Sequence, residues 1–260
     1  MPTAASRGKR PIWSISSRKP LAPDQPDKER CDGAAGQSCR PPRFYGRRKG
    51  KPLRQGKQEL IQNLLPGLAI STPAAGETID PFALFSPPPS ELWLEVGFGA
   101  GEHTAAQASA NPHVGLIASE VFLNGLGGLL KHIAALDLAN IRIYPEDVRK
   151  LLPSLPDACL GRVFVLFPDP WPKKRHAVRR FIGQDNLDQL SRLLAPGKEL
   201  RVASDHPVYI DWTQEQMSLR DDFKPVLQTS LRPSDWPPSR YEQKALEKGV
   251  GCTYMAWEKK

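Results

Sequence analysis

The chain has 260 residues, 40% of them apolar, which is enough for one ordinary domain with a real core and excludes wholesale disorder. No run approaches the roughly 18 to 20 consecutive apolar residues of a membrane-spanning helix, so a soluble protein with no membrane partner is expected. The net charge of +8 is unevenly placed: residues 1–57 hold 15 Lys/Arg against four acids, a net of +11, and the remainder is net −3. Basicity confined to one segment points to a polyanionic partner.

In chain order, residues 1–42 are rich in Pro, Ser, Ala, Gly and Arg without helical or strand period, the composition of a disordered tail. An acid-free 1–23 also resembles an organellar transit peptide, but Pro2, Pro11 and Pro20 would break its amphipathic helix. Residues 43–89 open on Arg43-Phe44-Tyr45-Gly46-Arg47-Arg48-Lys49-Gly50-Lys51 and continue through Arg54 to Lys57, seven cations around two aromatics. Cations for phosphates beside an aromatic for a base form a nucleic-acid-holding pattern, and the alternative is a charged linker whose Phe-Tyr docks on its own domain.

From residue 90 onward, buried apolar runs alternate with helical periods. Leu92–Val96 predicts a strand ended by Gly97-Phe98-Gly99-Ala100-Gly101, followed by a helix over 102–110, a strand over 114–118 and a helix over 122–136. Strands follow at 140–144 and 162–167. The face Leu187, Leu190, Leu193 and Leu194 predicts a helix closed by Pro196-Gly197, then come a strand at 200–203, a helix near 207–220 and strand-like pieces near 223–229 and 252–258. Such alternation implies a mostly parallel sheet covered on both faces.

Four cysteines (Cys31, Cys39, Cys159 and Cys252) form no Cys-x-x-Cys pair, so neither a zinc site nor a disulfide framework is expected, and a reducing, cytoplasmic setting is the default.

A glycine-rich turn after the first strand lets a ligand approach the backbone near a helix N-terminus. Here the spacing is Gly-x-Gly-x-Gly, and Glu102 fills the slot of a dinucleotide fingerprint's third glycine. An acid suits S-adenosylmethionine, which carries a cationic amino group and no pyrophosphate. Glu95, before the turn, could receive that amino group directly or through water. Glu120 ends the second strand, where an acid can accept ribose hydroxyls, and Glu146-Asp147 follow the third, where an acid can bond an adenine amine. Each acid alone could be a helix cap or a solvated loop end; three in order at successive strand ends favour a nucleoside cofactor.

Leu166-Phe167-Pro168-Asp169-Pro170-Trp171-Pro172-Lys173-Lys174-Arg175-His176, with Arg179 and Arg180, leaves the fourth strand at the ligand-binding edge. Flanking prolines stiffen the backbone around Asp169, Trp171 offers a stacking face, and the cations offer phosphate contacts. His103 and His206 are expected in loops or caps, and Trp93 and Trp257 in the core.

These pieces together resemble the bacterial tRNA (guanine-N7)-methyltransferase family: Glu95-Val-Gly-Phe-Gly-Ala-Gly, Glu120, Asp147, the Pro-Asp-Pro-Trp-Pro-Lys-Lys-Arg-His string, Ala203-Ser204-Asp205 and Ser239-Arg240-Tyr241-Glu242. The likeness runs from about residue 43 to the end. It departs at Ser239, where the family usually has Thr, and at Ala118-Ser119. It implies an α/β, Rossmann-like class I S-adenosylmethionine-dependent methyltransferase with a mostly parallel seven-stranded sheet, occupying 90–260. It further implies Glu95, Gly97, Gly99, Glu120, Asp147 and Asp169 at the cofactor, Asp169 as catalytic residue, and Lys173, Asp205, Ser239, Arg240, Tyr241 and Glu242 at a tRNA guanine, by family pattern guanine 46 of the variable loop. No metal is expected, and monomer and homodimer are both open. The competing functions are an adenine N6 methyltransferase, which Asp-Pro-Pro-Trp-like loops would serve, a non-catalytic RNA-binding protein on a decayed fold, and, more distantly, a dinucleotide oxidoreductase.

Overall fold

The structure, a computed structural model, describes residues 44–260. The tail expected at 1–42 lies outside the described residues. Seven strands form one sheet: β1 (Glu91–Val96), β2 (Val114–Ser119), β3 (Ile141–Tyr144), β4 (Leu160–Leu166), β5 (Leu194–Ser204), β6 (Phe223–Thr229) and β7 (Thr253–Lys259). Their spatial order is β3-β2-β1-β4-β5-β7-β6. The first five are parallel, and β7 runs antiparallel between β5 and β6.

Helices α1 (Gln55–Asn63), α2 (Leu65–Leu68), α3 (Glu102–Ala110), α4 (Leu123–Leu136), α5 (Gln184–Leu193), α6 (Pro207–Ser218) and α7 (Arg240–Glu247) join the strands or cover them. Period-2 alternation sorts β1 onto two faces. Leu92 and Leu94 join the core beneath Leu187 and Leu190 of α5 and Tyr209 of α6. Trp93 joins the opposite core with Ala105 of α3 and Leu126, Leu129 and Leu130 of α4. Glu95 shares the Trp93 face and therefore points towards α3.

Residues 55–89 belong to the same body. Leu60, Ile61, Leu64, Leu65 and Leu68 pack on the α4 side, and Ile70 and Phe85 are buried on the other. The boundary expected at residue 90 is therefore no structural break. The strand expected at 200–203 begins earlier, at Leu194, running through Gly197 (φ 76°), so Pro196-Gly197 bends a strand rather than closing a helix. Trp93 and Trp257 are core residues, as their strand positions suggested.

The strand order reverses between β1 and β4. At such a switch point the connections leave in opposite directions and open a crevice at the strands' carboxyl ends. The glycine turn and the Pro-Asp-Pro-Trp loop both emerge there.

Candidate active site

A cleft of about 610 Å³ opens at this switch point, within the range of small-molecule sites. Gly97, Gly99, Glu120, Asp147, Asp169 and Tyr241 of the expected residues line it, together with Trp171, Arg179 and Phe44 to Arg47.

The glycine turn needs glycine. Gly97 and Gly99 have φ of 71° and 61°, and a Cβ on Gly97 would project into open space at the cleft. Gly99 donates its N–H to Glu120 Oε2 at 2.9 Å, while Glu120 Oε1 accepts from the N–H groups of Val121 (2.8 Å) and Phe122 (2.9 Å). Three donors leave part of the carboxylate's acceptor capacity for a ligand. Burial raises the pKa of Glu120 against the pull of those N–H groups, with the Asp169 carboxylate adding to the rise.

The other expected carboxylates fall into two sets. Glu95 is buried: its Oε2 accepts from Thr104 Oγ1 at 2.7 Å and from His103 Nδ1 at 2.9 Å. His103 is thus no loop or cap residue but an interior partner of Glu95, edge-on to Phe164 with ring centres 4.8 Å apart. Gln107 continues the chain, its amide lying 3.4 Å from His103 Nε2 and donating to the Asp235 carbonyl at 3.0 Å. Asp147 caps a short 3-10 turn by accepting from the Arg149 N–H, and it pairs with the Arg149 guanidinium at 2.6 Å. Glu242 is buried and accepts from Tyr254 OH (2.6 Å), Arg232 Nε (3.0 Å) and the Ser239 N–H (3.2 Å). The Ser239 hydroxyl in turn accepts from the Glu242 N–H, completing a capping box that starts α7. Of that tetrad, Arg240 and Tyr241 face outward.

Asp169 is exposed and Asp205 half-buried, and neither makes a hydrogen bond or ion pair to a described residue. Lys173 is exposed, at the start of the cationic run that follows Trp171. Tyr241 sits over the turn, close enough that a Cβ on Gly99 would stand 2.9 Å from its ring. Burial first, then the Glu120 and Asp169 carboxylates, raises the Tyr241 phenol pKa, which places both acids within its electrostatic reach.

The Pro-Asp-Pro-Trp loop is strained and pinned. Phe167 and Trp171 adopt φ of 49° and 42°, costly for residues with a Cβ. Arg180 Nε donates to the Pro170 carbonyl at 3.1 Å and Nη2 to that of Trp171 at 3.0 Å, and its guanidinium lies 4.7 Å from the Trp212 ring centre. The residue is only 8% exposed, so Arg180 belongs to the loop's scaffold and not to the phosphate-facing run. His206 is a cap, accepting from the Val208 N–H at the start of α6.

The basic lead-in crosses the cleft mouth. Arg48 pairs with Glu146 at 3.3 Å, and its carbonyl accepts from the Leu123 N–H; Asn124 donates to the Lys51 carbonyl. Arg47, Lys49 and Lys51 stay exposed. Sequence reasoning missed Glu146's pairing and the inward turns of Arg180 and Glu242. For Glu242 a signal existed, since Ser-x-x-Glu is the spacing of a capping box.

A parallel-dominated sheet with a terminal antiparallel pair, helices on both faces and a glycine-turn cleft at the switch point defines a Rossmann-like methyltransferase. The 16S rRNA methyltransferase KamB shares this fold, with a TM-score of 0.51 at 15% identity over 71% of this chain and 95% of its own. TrmN from Thermus thermophilus gives 0.50 at 18% identity, covering 78% of this chain and 48% of its own. A family model described as "Putative methyltransferase" matches residues 89–255. Among curated relatives, a tRNA (guanine-N(7)-)-methyltransferase of Paramagnetospirillum magneticum is 53% identical over 209 residues, 79% of this chain and 88% of its own. One of Rhodospirillum rubrum is 51% identical over 224 residues, 84% and 88%. The chain belongs to the tRNA (guanine-N(7)-)-methyltransferase family.

Among the described residues no helix is long and apolar enough to cross a membrane, no cluster of three or more His, Cys, Asp or Glu is arranged to hold a metal, and Cys159 and Cys252 are buried free thiols.

Proposed function

We propose that this protein is a cytoplasmic enzyme that transfers a methyl group from S-adenosylmethionine to N7 of a guanine in tRNA, by family pattern guanine 46 in the variable loop. The observation that carries the reading is the pairing of a ligand-sized cleft behind the glycine turn with an unpartnered carboxylate, Asp169, at its mouth. The cleft residues suit the donor. Gly97 leaves room at the backbone, Glu120 keeps acceptor capacity for ribose hydroxyls, and Asp147 lies further along the same wall for the adenine end. When bound, S-adenosylmethionine supplies an electrophilic methyl on a sulfonium centre.

The chain's own work is positioning and electrostatics. Guanine N7 is an unprotonated lone pair, so no side chain has to remove a proton from it. Methylation leaves the purine positively charged. Asp169 and Asp205, free of other partners, are the groups that can offset that charge as it appears. Lys173, Arg240 and the exposed cations Arg47, Lys49 and Lys51 hold phosphates around the cleft. Tyr241, over the glycine turn, walls the space between donor and base. Glu95, through His103 and Thr104, sets the turn against α3; Glu242 and Ser239 set the start of α7 and hence Tyr241. These three act as positioning residues.

The test is methylation of unmodified tRNA with labelled donor, comparing wild type with Asp169→Ala. A loss of more than about tenfold in kcat/KM, equivalent to roughly 1.4 kcal/mol of barrier, is expected. Unchanged turnover would remove Asp169 from the reacting centre.

A further inference from the structure

The guanidinium of Arg179 stands over two aromatic rings at the cleft mouth, 4.6 Å from the ring centre of Tyr45 and 4.9 Å from that of Trp171. All three residues line the cleft that also holds Asp169. The two rings come from separate parts of the chain. Trp171 sits at a left-handed position whose carbonyl is held by Arg180, so its ring is a fixed wall. Tyr45 rides on the lead-in segment, which the Arg48–Glu146 pair and the Arg48 carbonyl tie down three residues away.

Aromatic faces attract cations, most strongly when the cation is planar, delocalised and partly desolvated. The chain fills this place with its own planar cation. The proposed reaction produces another: as the N7–methyl bond forms and the sulfur–methyl bond breaks, the donor sulfur becomes a neutral thioether and the purine takes up one positive charge. We infer that Tyr45 and Trp171 form an aromatic clamp for the target purine, selective for its N7-methylated, cationic form, and that Arg179 occupies the clamp until a nucleotide displaces it. This rests on the guanine-N7 reading above. Displacing a guanidinium from two rings needs an anion to receive it, and a nucleotide brings its own: the base fills the clamp while the phosphate takes Arg179. A neutral nucleoside offers no such exchange. Because positive charge already grows on the purine during transfer, the same rings favour the transition state over bound, unmethylated guanine.

The test measures binding of GMP, 7-methyl-GMP and 7-methylguanosine to the full chain below neutral pH, where the methylated base is a full cation. Tyr45→Leu, Tyr45→Phe, Trp171→Leu and Arg179→Ala are compared with wild type. Wild type should prefer 7-methyl-GMP to GMP by about fivefold or more, in keeping with the strength of a desolvated cation–π contact. Tyr45→Leu and Trp171→Leu should bring the ratio near one, and Tyr45→Phe should keep it. Arg179→Ala should shrink the advantage of 7-methyl-GMP over 7-methylguanosine without weakening the nucleoside. A ratio that survives in Tyr45→Leu overturns the clamp, and a phosphate advantage that survives in Arg179→Ala overturns the exchange. Should Trp171→Leu fail to fold, the two Tyr45 variants decide alone. Wild-type methylation of unmodified tRNA runs in parallel. If 7-methylguanosine forms but the Tyr45→Leu ratio is unchanged, the clamp alone falls; if none forms, the activity reading falls.

Discussion

Replacing Arg180 with lysine keeps the charge and removes the fork that reaches two carbonyls at once. In the native loop that fork makes bonds of 3.1 and 3.0 Å to Pro170 and Trp171. Bonds from a charged donor contribute ~1.5–3 kcal/mol each. Against them stand the left-handed conformations of Phe167 and Trp171, at ~1–3 kcal/mol each. The two sums are of similar size, so losing one bond is enough to let the loop leave the geometry that presents Asp169. A lysine that keeps one of the two bonds should lower single-turnover methylation of tRNA by about 10- to 100-fold, or ~1.4–2.8 kcal/mol. Donor affinity, measured by calorimetry, should change far less, because the glycine turn and Glu120 do not touch Arg180. A variant that loses thermal stability yet methylates at the wild-type rate would refute the claim that Arg180 holds the catalytic loop.

Glu120→Gln should weaken donor binding about tenfold or more, since a carboxylate's charge-assisted bonds are replaced by a neutral amide's. Burial raises the Glu120 pKa, so protonation removes the acceptor at a higher pH than for an exposed carboxylate. Donor affinity of the wild type should therefore fall as pH drops through that raised value, and a titration of Glu120→Gln should lack this step. The stability linkage runs the other way: with a raised folded pKa, Glu120's contribution to folding is present at low pH and lost as pH rises through that value. Gly125→Ala would place a Cβ 2.2 Å from the Gly99 carbonyl oxygen, so α4 or the glycine turn must move. A loss of ~1–3 kcal/mol in unfolding free energy and weaker donor binding are expected, and an unchanged melting temperature and affinity would contradict this packing. Changing Arg47, Lys49 and Lys51 together to Gln should reduce the slope of log tRNA affinity against log salt by up to roughly 2, with donor affinity retained. Equal slopes would remove the lead-in as a phosphate contact.

Much of this architecture is legible in the amino-acid order because its strands are short apolar runs cut by glycine and proline. The helix over 102–110 sits where the pattern puts it, and the strand expected over 114–118 runs one residue further, to Ser119. Helices α1 and α2 were hidden behind the charge of the lead-in, although Leu60, Ile61, Leu64, Leu65 and Leu68 carry a helical spacing that buries them. At the site, residue types were legible and directions were not. Glu95 and Asp169 are both acids at strand ends, yet one is sealed by His103 and Thr104 while the other is bare. Arg179 and Arg180 are neighbours on one 3-10 turn and its cap, and only the folded turn decides which stacks in the cleft and which stitches the loop. The meeting of Tyr45 and Trp171 at the Arg179 guanidinium, from positions 126 apart, leaves no local signature, because it depends on where the lead-in crosses the sheet edge.

The central claim is a chemical one, that the methyl group ends on N7 of guanine, and nucleoside analysis tests it most directly. Unmodified tRNA incubated with the purified protein and S-adenosylmethionine, then digested to nucleosides and resolved by mass spectrometry, should yield 7-methylguanosine at one site per responsive tRNA. N6-methyladenosine as the product, or no methylated nucleoside with intact protein and donor, would contradict it.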